Sequence, residues 1–373
     1  MKRVCHLTSA HNSDDTRIFH KECASLAEAG YEVYLVAPGE SREDKNVHVI
    51  GVGDKPHDTW KRLLFSGISK RVEKKAEELD CDLYHIHDPE LLPVGLHLLR
   101  KHKTVIFDSH EDTPGLILEK NWIPAKELVS KVFRLYQNTA LRRYSAVISV
   151  TPHICDMLRK VNPHTVMVTN YPVIEPVPPV PEEERTHSLC CVGGVRDEWS
   201  HRQILEAIKD IPNLTYELYG PEPVPGYADG LSKGPGGEKL RYHGRIAHSA
   251  ALPAIRESHI AMALCQYSVN TGGMLGSLGN NKLFENMMCA LPVICTDYTL
   301  WKDIISRYRC GICVDPNDVS AIHEAVETLL RDRELAETMG RNGRTAAERE
   351  FNWDVEKKKL LALYEELLSL KGE

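Results

Sequence analysis

The segment Thr271-Gly272-Gly273-Met274-Leu275-Gly276-Ser277-Leu278-Gly279-Asn280 is a glycine-rich loop that runs directly into an amphipathic helical pattern over 281–290. A helix that starts on such a loop offers unpaired backbone N–H groups and the positive end of its dipole at one point, which suits a phosphate. Glu285 follows about one turn further in, among apolar neighbours, where it can accept hydrogen bonds from sugar hydroxyls. Pro292 ends the helix and feeds a short apolar strand over 293–295. Phosphate donors beside a carboxylate acceptor describe a pocket for a sugar nucleotide.

Other chemistry-bearing residues cluster in the same way. An apolar stretch over 189–192 ends in Gly193-Gly194-Val195-Arg196, and His201 and Arg202 open the next helical pattern. Glycines allow close backbone approach, and Arg196 or Arg202 can clamp a diphosphate. Near the N-terminus stand His11-Asn12-Ser13-Asp14-Asp15-Thr16-Arg17, then His85-Ile86-His87-Asp88-Pro89-Glu90, then Phe107-Asp108-Ser109-His110-Glu111-Asp112. All three follow strand patterns, and ligands in open α/β sheets sit beyond strand carboxyl ends. Asp14 and Asp15 serve equally as helix N-caps. Arg17 is a cation in a first helical turn, against the dipole, which points to a substrate contact. His and Asp are metal ligands, but neither later cluster has an H-x-x-x-H or paired-carboxylate spacing that fixes an ion.

These residues need two alternating α/β frames. Strand patterns over 3–8, 31–37, 47–52, 83–86, 104–107 and 146–150 alternate with helical patterns over 18–29, 60–79 and 93–101. That alternation predicts a parallel sheet with helices on both faces. The proline-rich stretch 172–181 cannot sustain a helix or a central strand and reads as a linker. Alternation restarts after it, with strands near 189–192, 214–219, 240–243, 260–264, 293–295 and 311–314. The prediction is an N-terminal domain over 1–171, a linker over 172–181 and a second domain over 182–352, with a ligand cleft between the domains. A closing amphipathic helix over 353–370 carries Leu360, Leu361, Leu363, Tyr364, Leu367 and Leu368.

Composition bounds the partners. The 373 residues are 42% hydrophobic and 27% charged, as in ordinary globular proteins, and the net charge of −7 argues against general nucleic-acid binding. The basic and apolar start is too short for a signal peptide, so a cytoplasmic protein is expected. Eleven cysteines without framework spacing read as buried thiols, and Cys310-Gly311-Ile312-Cys313 lacks the context of a zinc or redox motif. The stretch 120–143 carries Lys120, Lys126, Lys131, Arg134, Arg142 and Arg143 against one acid, Glu127. Leu128, Val132, Leu135 and Thr139 fall on one face of it. It is either a packed helix with solvated charges or a contact for an anionic membrane surface at the inner face of the plasma membrane.

Together these segments resemble the family 4 retaining glycosyltransferases of the two-domain GT-B fold. The likeness rests on Thr8-Ser9-Ala10-His11 with Asp15-Thr16-Arg17-Ile18-Phe19, on His87-Asp88-Pro89-Glu90-Leu91-Leu92-Pro93, on Asp108–Asp112 of the form D-x-H-E-D, and on Asn281-Lys282-Leu283-Phe284-Glu285 with Met287. It implies two Rossmann-like doubly wound domains facing across a cleft, with the C-terminal helix over 353–373 packing back on the first. It also implies transfer of a sugar from a UDP- or GDP-type donor to a glycan or lipid-linked acceptor, with retention, no cofactor and no required metal. The setting would be cell-surface polysaccharide or glycolipid biosynthesis. By that likeness His110, Arg196 and Glu285 are catalytic. Gly193, Gly194, Arg196 and a second base bind the diphosphate. Gly276, Ser277, Asn280, Asn281, Lys282 and Leu283 meet the donor, largely through backbone groups, and Gly244, Arg245 and Ile246 lie near the base. Asp15, Arg17, His87, Asp88 and Glu111 fall on the acceptor side. Two departures stand out. Ser277 occupies the place of a second glutamate, and the second phosphate base is His201 or Arg202, of which Arg202 keeps its charge at neutral pH. A sugar-nucleotide epimerase of the same architecture and a non-catalytic sugar-nucleotide binder are the competing readings.

Overall fold

The computed structural model describes residues 1–54, 67–120, 122–174, 180–181, 184–269 and 271–370. The chain forms two compact units, Met1–Asn170 with Trp353–Glu373, and Tyr171–Asn352. Of the expected linker, residues 175–179 lie outside the described residues, as do 60–66 of the helix expected over 60–79, which is seen as Ile68–Leu79.

The first unit holds β1 (Arg3–Leu7), β2 (Glu32–Ala37), β3 (Arg42–Asp44), β4 (Val47–Gly51), β5 (Leu83–Ile86), β6 (Thr104–Ser109), β7 (Ala146–Ser149) and β8 (Thr165–Met167). They form one sheet in the order β3-β4-β2-β1-β5-β6-β7-β8, parallel except where β3 meets β4. Central strands β5, β6 and β7 are buried at every residue, as a sheet covered on both faces requires. Strand order reverses between β1 and β5, so the loops leaving those two strands diverge and open a crevice. Sequence periodicity missed β3, β8 and the helix Pro152–Arg159, all short segments of mixed polarity.

The first helix departs from expectation. It opens as a π-helical segment, Thr16–Cys23, before an α-helical turn, Ala24–Glu28. The Phe19 and His20 amides both donate to the Asp15 carbonyl. The widened turn carries Arg17, Lys21 and Glu22 into buried positions. The helix Trp353–Ser369 belongs to this unit, where Leu360, Leu363 and Tyr364 share a core with Val4, Ile18 and Leu35.

The helix Lys126–Leu141 turns its apolar stripe outward. Leu128, Val132 and Leu135 are 62%, 59% and 68% exposed, whereas Ser130, Gln137, Ala140 and Leu141 face inward. That excludes a face packed against this unit's own core.

The second unit holds β9 (Thr186–Val192), β10 (Thr215–Tyr219), β11 (Leu240–Gly244), β12 (Ser258–Ala263), β13 (Val293–Thr296) and β14 (Gly311–Val314), all parallel, in the order β11-β10-β9-β12-β13-β14. Its switch point lies between β9 and β12. The Gly193-Gly194 turn leaves β9, and the chain leaving β12 becomes the glycine-rich loop and the helix Asn281–Met288. Both segments singled out by sequence thus start from the two strands where an α/β sheet opens. Ten of the eleven cysteines are buried and all are free thiols.

Candidate active site

In the second unit, the ends of β9, β10 and β11 carry Gly193, Gly220 and Gly244. The Gly193 amide donates to the Tyr219 carbonyl at 2.8 Å, and the Gly220 amide to the Gly244 carbonyl at 2.7 Å. Gly193 has a φ of +145°, and a Cβ there would lie 1.4 Å from the Lys282 Nζ. The positive φ favours glycine, and the missing Cβ leaves the room that the lysine head group occupies.

Lys282 enters from the first turn of the helix Asn281–Met288. Its Nζ donates to the Val192 carbonyl and sits 4.1 Å from the centre of the Trp199 ring. The residue is 8% exposed, and no carboxylate pairs with it among the described residues. A buried ammonium in a helix's first turn opposes the dipole and lacks a counter-charge, so an anion is the missing complement. Arg196 stands exposed by Gly194 and, among the described residues, forms a long contact, 3.9 Å, with Glu198.

The glycine-rich loop is fixed at several points. Gly276, at a φ of +88°, would drive a Cβ to within 2.5 Å of the Tyr298 Cβ. The Trp301 indole N–H donates to the Ser277 carbonyl at 2.9 Å, and the Ser277 Oγ accepts the Gly279 amide at 3.1 Å. Asn280 caps the helix by accepting the Lys282 amide at 3.2 Å. Asn281 is half-buried with an unbonded Oδ1, and Leu283 is in the core. Glu285 is half-buried, less enclosed than its apolar neighbours implied, and its carboxylate has no partner among the described residues.

Of the two bases weighed for the diphosphate, His201 is unsuited. It is fully buried, hydrogen-bonded to the Tyr216 hydroxyl at 2.9 Å, and burial pushes its pKa down to about 3. Arg202 is exposed, lies 5.3 Å from the centre of the Tyr227 ring and faces Asp197 at 3.5 Å. Lys282 is the cation that stands against the Gly193 turn. Arg245 is exposed and Ile246 half-buried beyond Gly244.

In the first unit, the loop after β1, the end of β5 and the end of β6 converge. His110 is part-exposed, with its Nε2 3.2 Å from Asp108 Oδ2 and 3.3 Å from His87 Nδ1. Burial opposes ionisation of Asp108, but Arg17 and then His110 outweigh it and hold its carboxyl well below the usual range. Arg17 is more enclosed than the sequence reading implied. Its guanidinium is 4% exposed and pairs through Nε with Asp108 at 2.9 Å and Glu22 at 3.1 Å, which offsets its dipole mismatch, while its two terminal nitrogens have no hydrogen-bond partner among the described residues. Asp15 caps its helix through the Arg17 and Ile18 amides. Asp88 is also occupied, accepting the Thr8 hydroxyl and the Ser9 and Ala10 amides, which ties down the loop after β1. His87 is buried, with its pKa lowered by burial to about 4, and Glu111 is exposed.

Comparison with known proteins fits these two halves. The description "Glycosyltransferase Family 4" matches residues 16–173, and "Glycosyl transferases group 1" matches residues 178–346. The chain belongs to the family 4-like glycosyltransferases. Capsular polysaccharide biosynthesis glycosyltransferase CapM of Staphylococcus aureus is 33% identical over 88 residues, which is 24% of this chain and 23% of CapM, so the match spans about a quarter of that relative. Sucrose-phosphate synthase from Thermosynechococcus elongatus superposes with a TM-score of 0.77 at 17% identity, over 99% of this chain and 100% of that one. HepE from Anabaena, solved with UDP and glucose, gives a TM-score of 0.72 at 13% identity, over 98% of this chain and 100% of that one. These likenesses show the GT-B fold.

In this glycosyltransferase, sequence reading placed the loops correctly at strand ends but missed several partners. Gly220 and Trp199 had no motif to mark them. Lys282 was read as one loop contact among several, although a lysine in a first helical turn carried the same dipole mismatch that drew attention to Arg17. Glu22, His6 and Tyr364 were invisible because the π-helical segment and the C-terminal helix bring them in from afar.

Proposed function

We propose that this glycosyltransferase transfers a sugar, with retention, from a UDP- or GDP-type nucleotide sugar to a glycan or lipid-linked acceptor in cell-surface polysaccharide or glycolipid biosynthesis. The observation that carries the reading is the buried, uncompensated Lys282 ammonium against the Gly193 turn, with Arg196 beside Gly194. Departure of a nucleoside diphosphate builds negative charge on its phosphates, and fixed cations at that point stabilise it. The Glu285 carboxylate, without a partner among the described residues, is left to accept ribose hydroxyls. HepE, solved with UDP and glucose, and CapM, named for capsular polysaccharide biosynthesis, support the donor class and the pathway type.

The direct test is a panel of UDP- and GDP-sugars scored by thermal shift, then by transfer to sugar or lipid-linked acceptors with the product anomer read by NMR. Stabilisation by one donor and an unchanged anomeric configuration are expected. A panel without any shift would defeat the donor reading, inversion would defeat the stereochemical one, and an epimerised donor formed without acceptor would favour an epimerase. Glu285→Ala should weaken binding of the free nucleoside diphosphate roughly 10- to 100-fold by calorimetry, the size of a hydrogen bond to a charged group. Equal affinity in wild type and variant would remove Glu285 from the site.

The outward apolar face of Lys126–Leu141 supports peripheral contact with an anionic membrane, since Lys126, Lys131 and Arg134 lie on the same helix in a chain of net charge −7. No helix among the described residues is long and apolar enough to cross a membrane. Vesicles of phosphatidylglycerol and phosphatidylcholine should bind the protein at low salt, and the pair Leu128→Ser with Leu135→Ser should weaken partition at least about tenfold. Binding that is absent, or equal for the double variant, would refute the contact.

A further inference from the structure

We propose that His6, His85, His87 and Glu22 form a binding site for a first-row divalent metal ion of the zinc class in the core of the first unit. The two strands at the switch point supply the imidazoles, His6 from β1 and His85 and His87 from β5 and the residue after it. The π-helical segment supplies Glu22. One ligand atom from each lies within 4.8 Å of every other, and all four side chains are buried.

The separations to Glu22 fit ligands around an ion better than a shared proton, whereas His6 Nδ1 and His87 Nε2 share a hydrogen bond that an ion would replace. His6 Nδ1 lies 3.7 Å and His87 Nε2 3.8 Å from Glu22 Oε2. Those gaps are too long for hydrogen bonds, so a proton on Glu22 or on either ring would not join them. Two ligands of one tetrahedral zinc, each about 2.0–2.2 Å from it, stand about 3.3–3.5 Å apart. The carboxylate therefore closes by a few tenths of an ångström. The His6 Nδ1 to His87 Nε2 separation of 2.9 Å opens by a similar amount. Glu22 Oε2 and the His85 Nε2 are buried without a hydrogen bond, and a common ion satisfies both.

The surroundings suit such an ion. Metal-bound imidazoles are usually held at their second nitrogen. Here the Tyr364 hydroxyl meets His6 Nε2 at 3.0 Å and His85 Nδ1 at 2.9 Å, and His87 Nδ1 faces the Asp108 carboxylate at 3.6 Å. Arg17 reaches Glu22 through Oε1, leaving Oε2 for the ion. Three nitrogens and one oxygen favour zinc or cobalt over magnesium or calcium, which take oxygen ligands. Four protein ligands close the site, so its role is structural, bracing the strand ends beneath His110.

The test uses the untagged full-length protein, chelator-treated and then titrated with Co²⁺ alone. Expected are one equivalent bound, the visible absorption of four-coordinate cobalt, displacement by Zn²⁺ and a raised melting temperature. His85→Gln and Glu22→Gln should each lose the absorption band. His85→Gln is the milder of the two for folding, because it gives up the Nδ1 contact with Tyr364 whereas Glu22→Gln removes a charge that the buried Arg17 faces. Wild-type protein that keeps its circular dichroism yet takes up less than a tenth of an equivalent overturns the proposal, as does equal cobalt binding by His85→Gln. No nucleotide sugar enters the assay, so its failure would leave the glycosyl-transfer reading untouched.

Discussion

Lys282→Met is expected to lower kcat/KM for the nucleotide-sugar donor by about 10²- to 10³-fold while leaving the fold as stable as before, or more so. The two directions follow from one fact. In the free protein Lys282 stands at 8% exposure with a carbonyl and an aromatic face, but no carboxylate among the described residues, around it. A buried charge without a counter-charge costs stability, and methionine keeps the unbranched stem against Trp199 while removing that cost. Losing one fixed donor aimed at developing phosphate charge typically costs about 10²- to 10³-fold in rate. Arginine should not rescue it, because the Nζ already occupies the space above Gly193 and a longer head group has nowhere to go. The comparison that decides the assignment is Arg202→Met, expected to change kcat/KM less than about threefold, since that guanidinium is 55% exposed and faces Asp197 and Tyr227. If Arg202→Met were the more damaging variant, the second phosphate base would be Arg202, and the burial of Lys282 would need another explanation.

That contrast shows where sequence reading reaches its limit. The alternation of apolar strands and amphipathic helices made both parallel sheets legible, because strands such as β6 and β13 carry unbroken apolar runs, Val105-Ile106-Phe107 and Val293-Ile294-Cys295, that only a sheet covered on both faces accommodates. Glycine-rich turns marked the strand ends. Which cation meets a phosphate depends on side-chain direction across two loops separated by some ninety positions, and no local pattern encodes it. Arg17 shows the same limit from the other side. Its dipole mismatch was a real signal, but the compensating charges, Glu22 and Asp108, arrive through a π-helical segment and a distant strand. Spacing along 120–143 did show an amphipathic helix. Only packing showed that its apolar stripe faces away from the core.

His110→Ala is expected to lower kcat by about 10²- to 10³-fold with the donor KM changed less than about threefold, the pattern of a group that acts at the reacting centre rather than in ground-state binding. The imidazole is positioned for such a role. Its Nε2 faces Asp108 Oδ2 at 3.2 Å, which favours the tautomer with a proton on Nε2 and leaves Nδ1 for the substrate. Asp108 can act as that anchor because Arg17 outweighs burial and holds its carboxyl well below the usual range. Asp108→Asn should then cost less in rate than His110→Ala, about tenfold, but more in stability. It leaves the buried Arg17 guanidinium with Glu22 alone, and losing one partner of a buried pair costs about 3 kcal/mol or more. Measuring melting temperature beside kcat for both variants separates the roles. A His110→Ala protein that transfers sugar at the wild-type rate would make His110 part of the scaffold. An Asp108→Asn protein that loses stability but no rate would show that the histidine finds its orientation without the carboxylate, leaving the contact with His87 Nδ1 at 3.3 Å to fix the ring.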